Sequence, residues 1–418
     1  MTDRETTWPM RPIGDLLKRV SRPVDVKPDT TYREIGIRSH CKGIFHKPET
    51  TGKKIGNKRV FWVEPGCLVF NIIFAWEQAV AMTSDAESGM IASHRFPMYQ
   101  SRNGKLLPEY AWRYFSTPRG KYDLNIASPG GAGRNKTLGQ EEFKRLKIPV
   151  PPVEHQRRAL NILSTVDRAM ERSERLIAAK RKLKKGLAQQ LLTGKRRLPG
   201  FGEPAIEGKS GKESKCGWIP SDWECVHLRD IARLNPDTLP ESTPPDYSFW
   251  YIDLSMVKQG VVDFPDEQIR FEDAPSRARR AVSKGDITMA TVRPNLRGYA
   301  YWPDEVDDVV CSTGFAVIRV TEASAQFVYQ WLYSTPVARY FYGCIAGTGY
   351  PALNPGDVEN MAVPCPPRDE QKRIAEVLGA ADRAIALLEK KLAALSELKR
   401  GLMQKLLTTE HLKPMKGA

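Results

Sequence analysis

The sequence predicts an α+β chain with a pseudo-two-fold internal repeat. Two globular α/β domains are separated by two long helices that form an antiparallel coiled coil. Three observations predict this. Residues 151–193 recur at 366–408 without a gap, with roughly two residues in five identical. Each copy carries a heptad stripe of apolar residues over many turns. The segments preceding the two copies share turn landmarks in the same order.

Each copy reads as one helix. Both open on Pro-Pro, followed by Glu154 and Gln156 or by Asp369 and Gln371. A helix start tolerates proline because first-turn N–H groups have no intrahelical partner, and a carboxylate there favours the helix dipole. Lys184, Lys185, Lys399, Arg400 and Lys405 crowd the opposite ends. Both copies carry Asp-Arg-Ala, at 167–169 and 382–384. The seam of the first helix is Leu163, Val166, Met170, Ile177, Lys184, Leu187 and Leu191. That of the second is Ile374, Leu378, Ile385, Leu388, Leu392, Leu395, Lys399, Leu402 and Leu406. Lys184 and Lys399 interrupt the two seams at the same step, and polar seam residues fix register at some cost in stability. Each helix spans roughly 60 Å at the α-helical rise. An internal two-fold axis makes them antiparallel.

Taken in order, the chain divides into a globule over 1–150, a helix over 151–195, a flexible linker over 196–216, a second globule over 217–365, a second helix over 366–410 and a tail over 411–418. In the first globule, a short element starts at Asp15-Leu16-Leu17 and a strand covers 32–37. A polar loop covers 46–58, and two strands turn at Pro65-Gly66. An aromatic helix (109–116), a Gly-rich loop (128–136) and a short helix (138–146) follow. The linker assignment rests on Gly, Lys and Glu content. In the second globule, Lys284-Gly285-Asp286-Ile287 echoes Pro65-Gly66-Cys67-Leu68, and Ser334-Thr335-Pro336 echoes Ser116-Thr117-Pro118.

The chain has 418 residues, 41% hydrophobic and 27% charged, as expected for a soluble protein. No apolar run approaches membrane-spanning length and no signal peptide is evident, so a cytoplasmic location is expected. The seven cysteines form no C-x-x-C pair, which predicts reduced thiols. The formal net charge of +15 is uneven. It is roughly +10 over 1–150, roughly +9 over 151–200, about −8 over 201–365 and about +4 beyond. A basic half suggests a polyanionic partner.

Catalytic motifs are missing. There is no G-x-x-x-x-G-K-[ST], no G-x-G-x-x-G after a strand, and no Asn-Pro-Pro-aromatic or Asp-Pro-Pro-aromatic run of the kind methylating sites carry. The six histidines are dispersed, so neither a metal site nor an enzyme is expected on this chain.

The doubled order of Pro-Pro…Gln and Leu-Leu-Thr, with Gly217-Trp218-Ile219-Pro220-Ser221-Asp222-Trp223-Glu224, Gly285-Asp286-Ile287 and Arg293-Pro294-Asn295-Leu296, resembles the specificity subunit of a type I restriction–modification system over nearly the full length. The first globule departs from the pattern at Gly66-Cys67, where the family usually has Gly-Asp, and carries Asn71 and Ala75-Trp76. The resemblance implies that the globules are target recognition domains, each reading half of a bipartite site in double-stranded DNA, and that the helices fix the spacing. It implies no catalysis and no cofactor on this chain. The partners it implies are two methyltransferase (modification) subunits, which use S-adenosylmethionine, and two restriction (motor-nuclease) subunits that can join them and use ATP and Mg.

DNA contacts are expected from basic and amide side chains on loops beside strands. In the first globule these are Lys53, Lys54, Lys58, Arg59, Arg134, Asn135 and Lys136. In the second they are Arg277, Arg279, Arg280, Arg293, Asn295, Arg297 and Tyr350.

Overall fold

The structure, a computed structural model, describes residues 8–130, 136–305, 307–345 and 351–408. They fall into two compact units, one of residues 1–174 with 390–418, the other of 175–389. Each long helix therefore starts in one unit and ends in the other.

The first unit is built on two four-stranded sheets. One runs, in spatial order, Leu17–Val20, Met98–Ser101, Leu68–Phe70 and Val80–Met82, all antiparallel. The other runs Ile44–Thr51, Thr31–Ile37, Ile91–Ser93 and Val60–Trp62, with one parallel pair, Thr31–Ile37 beside Ile91–Ser93. A two-stranded ribbon pairs Met10–Pro12 with Lys147–Pro149 just before the first long helix.

The second unit repeats both four-stranded sheets strand for strand and adds a small hairpin, Val257–Lys258 with Val261–Val262. Its first sheet is Ala232–Leu234, Phe315–Val320, Ile287–Ala290 and Tyr299–Tyr301. Its second is Ile269–Arg270, Ser248–Ile252, Val309–Ser312 and Ala278–Ala281, and the parallel pair is again the central one. Glu224–His227 with Ala362–Cys365 forms the matching ribbon before the second long helix. The internal repeat read from landmarks is thus a repeat of topology.

Core packing repeats as well. Helix Pro108–Phe115 buries Tyr110, Ala111, Tyr114 and Phe115. Helix Ala325–Leu332 buries Phe327, Val328, Trp331 and Leu332 at the same steps. This one-sided aromatic stripe explains why both segments are helical despite mediocre propensity. Truncating one of the largest buried rings to alanine costs about 3–5 kcal/mol.

One departure in sequence is compensated in space. Asp286 is fully buried and takes both ends of the Arg319 guanidinium, at 2.9 and 2.8 Å. The strand registers place Cys67 at the Asp286 position and Gln100 at the Arg319 position. There Gln100 stands opposite Cys67 in the strand pair, so two neutral side chains replace an ion pair.

Three sequence expectations need correction. The strands flanking Pro65-Gly66, Val60–Trp62 and Leu68–Phe70, do not pair as a hairpin; the turn, with Gly66 at φ 69°, hands the chain from one sheet to the other. The polar loop over 46–58 is largely the edge strand Ile44–Thr51 and the one-turn helix Gly52–Ile55, and its polar composition reflects an outward-facing edge. The segment 196–216 is anchored rather than a bare tether. Arg197, almost fully buried, bonds Glu370 at 2.6 Å and Asp222 at 2.8 Å, and Lys212–Ser214 pairs with Gly217–Ile219. Trp223 donates to Glu370 at 3.1 Å, which gives the Ser221-Asp222-Trp223 run its role. In the first unit the equivalent pair, Trp8 and His155, meets ring to ring at 4.7 Å.

Candidate nucleic-acid interface

The candidate site has two parts, the two long helices that carry the expected spacer seam and the basic edges of the two globules. The spacer helices are Val153–Leu191 and Arg368–Leu407. Pro152 and Pro367 accept the first helical hydrogen bonds, from the backbone of Gln156 and Gln371. The glutamine side chains then turn back. The Gln156 amide donates to the Pro151 and Lys105 carbonyls at 2.8 Å and accepts from the Leu107 backbone at 2.9 Å. Gln371 donates to Pro366 at 2.8 Å and accepts from the Ser324 backbone at 2.8 Å. Leu107 and Ser324 are the N-cap residues of the two aromatic helices, so each glutamine fastens a globule to the start of its own spacer helix.

The seam is buried as its periodicity requires. Leu163, Val166, Ile177, Leu191, Ile374, Leu378 and Ile385 are buried, while Met170, Leu187, Leu388, Leu392, Leu395, Leu402 and Leu406 are half-buried. In the first unit, Ala159, Leu160 and Leu163 share a core with Leu402, Leu406 and Leu407. In the second, Leu191 and Leu192 share one with Ile374, Ala375 and Leu378. In both units the two helix segments run antiparallel.

The interrupting lysines are paired across the seam. Lys399 bonds Asp167 at 2.7 Å and Lys184 bonds Asp382 at 2.6 Å. Each aspartate also holds its globule. Asp167 accepts from Arg113 at 2.6 Å, and Asp382 from Gln330, at the equivalent helix position, at 2.9 Å. Burial pushes the Asp167 carboxyl up, but Lys399 and Arg113 outweigh it and hold it below its ordinary value.

The side chains expected to meet DNA lie on the two globules. Lys53, Lys54, Lys58 and Arg59 are all exposed, in the connection between the two edge strands Ile44–Thr51 and Val60–Trp62. Gly52 permits this turn: a Cβ there would meet the Lys27 carbonyl at 2.0 Å. Beside it an open groove of about 500 Å³ is lined by Val24, Val26, Lys58, Arg59 and Phe61. Lys136 sits apart from this turn, bonded to Asn125 at 2.8 Å and held over the Trp76 ring at 5.7 Å. Arg134 and Asn135 lie outside the described residues. Asn71 and Trp76 shape their own turn by bonding the backbone of Ile73.

In the second globule, Arg277, Arg279 and Arg280 lie on or just before Ala278–Ala281, the edge strand equivalent to Val60–Trp62. Arg277 is exposed. Arg279 stacks on Phe271 at 4.7 Å, and Arg280 donates to Thr238 at 3.0 Å. Desolvation lowers the Arg280 pKa below its ordinary value. Arg293 and Arg297, both left-handed at φ 51° and 52°, flank the turn Pro294–Leu296. Arg293 and Asn295 are exposed there, whereas Arg297 bonds the Tyr333 carbonyl at 3.2 Å. Tyr350 lies outside the described residues. Two basic edges at one topological position, Lys58 and Arg59 on one globule and Arg277 to Arg280 on the other, are what the structure adds to the sequence reading.

Sequence reasoning missed Gln156, Gln371, Asp167 and Asp382 as junction groups. Their identity in both copies was the available signal. Among the described residues no cluster of three or more His, Cys, Asp or Glu could hold a metal ion, and no helix is long and apolar enough to cross a membrane.

The sequence model of the family described as the type I restriction modification DNA specificity domain matches residues 71–181 and 220–397, well over half of the chain. This chain belongs to that family. Both matched stretches run from a globule into its spacer helix, so the family pattern is itself doubled. Similar curated proteins include the type I restriction enzyme MjaVIII specificity subunit of Methanocaldococcus jannaschii, 27% identical over 64% of this chain. Another is the putative MjaX specificity subunit of the same organism, 28% identical over 66% of this chain. Each alignment spans 62% of the relative's own length. A solved type I restriction–modification S subunit from M. genitalium has the same fold, with a TM-score of 0.59 over 99% of both chains at 14% identity.

Proposed function

We propose that this chain is the non-catalytic DNA-recognition subunit of a type I restriction–modification complex. Each globule reads one half of an asymmetric bipartite site. The spacer helices set the distance between the half-sites and dock methyltransferase subunits, which bring S-adenosylmethionine; motor-nuclease subunits using ATP and Mg join that assembly. One observation carries the reading: a duplicated topology presents basic side chains at the start of the same edge strand in both globules, while the loop sequences around those edges differ. Equivalent scaffolds with unlike edges suit an asymmetric target, because phosphate contacts position a reader and base contacts specify the sequence.

Methylome sequencing of the host with and without this chain tests it. The expected result is one bipartite, asymmetric methylated motif that disappears with the chain. An unchanged methylome, or methyl transfer by the purified chain alone, overturns the reading.

A further inference from the structure

Seven cysteines are dispersed in the sequence, yet the fold gathers three of them at the base of the second globule. Cys216 stands at the turn of the hairpin formed by Lys212–Ser214 and Gly217–Ile219. Cys225 lies on Glu224–His227, whose partner strand Ala362–Cys365 ends in the third. The Cys216 and Cys225 Sγ atoms are 2.8 Å apart, with both thiols free. Cys216 is buried and Cys225 half-exposed.

The surroundings polarise the pair. The Cys216 thiol meets Cys225 at 2.8 Å, and the Ser214 hydroxyl and the backbone N–H groups of Cys216 and Lys215 lie around it; the hydroxyl donates to the Gly217 carbonyl at 2.7 Å and accepts from the Cys216 N–H at 3.1 Å. These outweigh burial and hold Cys225 down at about 6, while its neighbour and burial push Cys216 up. Cys225, the more exposed sulfur, is the one a reagent from solvent reaches first, and Cys216, buried against it, is placed to resolve the product. Cys365, pushed up to about 11 chiefly by burial, is not activated.

We propose that Cys225 and Cys216 form a peroxide-reactive thiol pair, a modification site at the junction of the anchored connector and the strand that leads to the second spacer helix. The Cys225 thiolate attacks a hydroperoxide oxygen; the O–O bond breaks, an S–O bond forms, and the departing hydroxide takes a proton to leave as water. Cys216 then attacks the Cys225 sulfenic sulfur. The S–O bond breaks, its oxygen leaves as water with the Cys216 proton, and a disulfide remains. The two sulfurs are oxidised by two electrons in all, and one hydroperoxide is reduced. The product pins the 212–219 hairpin to Glu224–His227.

Both residues fall in a single tryptic peptide, 216–229, while Cys344 and Cys365 share another, 340–368. The test treats the full chain with hydrogen peroxide, alkylates the remaining thiols under denaturing conditions and maps the peptides. Peptide 216–229 should lose both alkylatable thiols and two hydrogens in mass, before any other cysteine reacts. Cys216→Ser should instead leave a Cys225 sulfenic acid that dimedone traps, and Cys225→Ser should abolish both products. Cys365→Ser should leave the disulfide intact, which separates the chemistry from any general loss of folding. A cross-link between peptides 216–229 and 340–368, or faster oxidation of another cysteine, overturns the proposal.

Discussion

Lys184 donates to Asp382 at 2.6 Å, and the repeat reproduces this contact as Lys399 to Asp167 at 2.7 Å. Each lysine occupies a seam position that an apolar residue would fill more stably, and each aspartate sits beside its own globule's aromatic helix. The register of the seam and the seat of the globule therefore share one carboxylate. A partly buried pair of this kind is worth little in isolation; its removal from one side strands the other charge.

Lys399→Ala should leave Asp167 with Arg113 alone and destabilise the first unit by about 1–3 kcal/mol. Asp167→Leu should cost more, because it strands the almost fully buried Arg113 as well as Lys399, and adding Lys399→Met should remove only the Lys399 share of that loss. Chemical denaturation of the single and double variants measures both. Additive losses in the double variant would contradict the shared-carboxylate account.

Acid should expose the same node. The folded Asp167 carboxyl lies below its unfolded value of about 3.9. Its contribution is complete above that unfolded value and is lost as pH falls through the depressed folded one. Stability should thus decline below about pH 4, and Asp167→Asn should lack that part of the decline. A pH series of denaturation midpoints checks the difference in slope.

Gln156→Ala should cost about 1–3 kcal/mol, since it leaves the Leu107 N–H and the Lys105 carbonyl without their partner. Gln156→Glu should cost more, because carboxylate oxygens replace the donor facing two carbonyls. Gln371 should respond in the same order. A thermal melt that ranks glutamate above alanine at either position would contradict the geometry.

Arg319→Gln alone should destabilise the second unit by roughly 3–5 kcal/mol, because the fully buried Asp286 loses its guanidinium partner. Adding Asp286→Cys installs the neutral pair of the first unit and should restore part of the loss. A double variant less stable than Arg319→Gln would show that the two scaffolds are not interchangeable at this position.

Lys58→Gln or Arg277→Gln, tested within the assembled methyltransferase complex, should flatten the salt dependence of DNA binding by about one unit each. Lys136→Gln should leave it unchanged, because its ammonium is already taken up by Asn125 and Trp76. Titrations across a salt series separate the two classes.

The long helices were legible because a heptad stripe is a local signal and the second copy confirmed its phase. The doubled globules were legible only through turn landmarks such as Lys284-Gly285-Asp286 and Pro65-Gly66-Cys67. What escaped was whatever depends on a partner distant in the chain. From residue 46 onward the strand Ile44–Thr51 reads as loop, because an outward-facing edge strand has polar composition. Gln100 compensates for Cys67 only once the strand register is known. Nothing local marks Arg197 as an anchor, because its partners Glu370 and Asp222 are brought to it only by the fold. Among the candidate contacts, the exposed position of Lys58 and Arg59 is legible from polar local sequence, whereas the internal engagement of Lys136 and Arg297 depends on Asn125 and Tyr333.

The ruler itself is open to direct measurement. Deleting 168–174 from the first helix and 392–398 from the second removes one heptad from each at facing levels, leaves Asp167 beside Lys399, and preserves the seam phase. The helices shorten by about 10 Å, or about three base pairs of duplex. Methylation mapping of a host carrying this variant should find both half-sequences unchanged and the gap between them about three base pairs shorter. A variant that still methylates with its original gap would contradict the account.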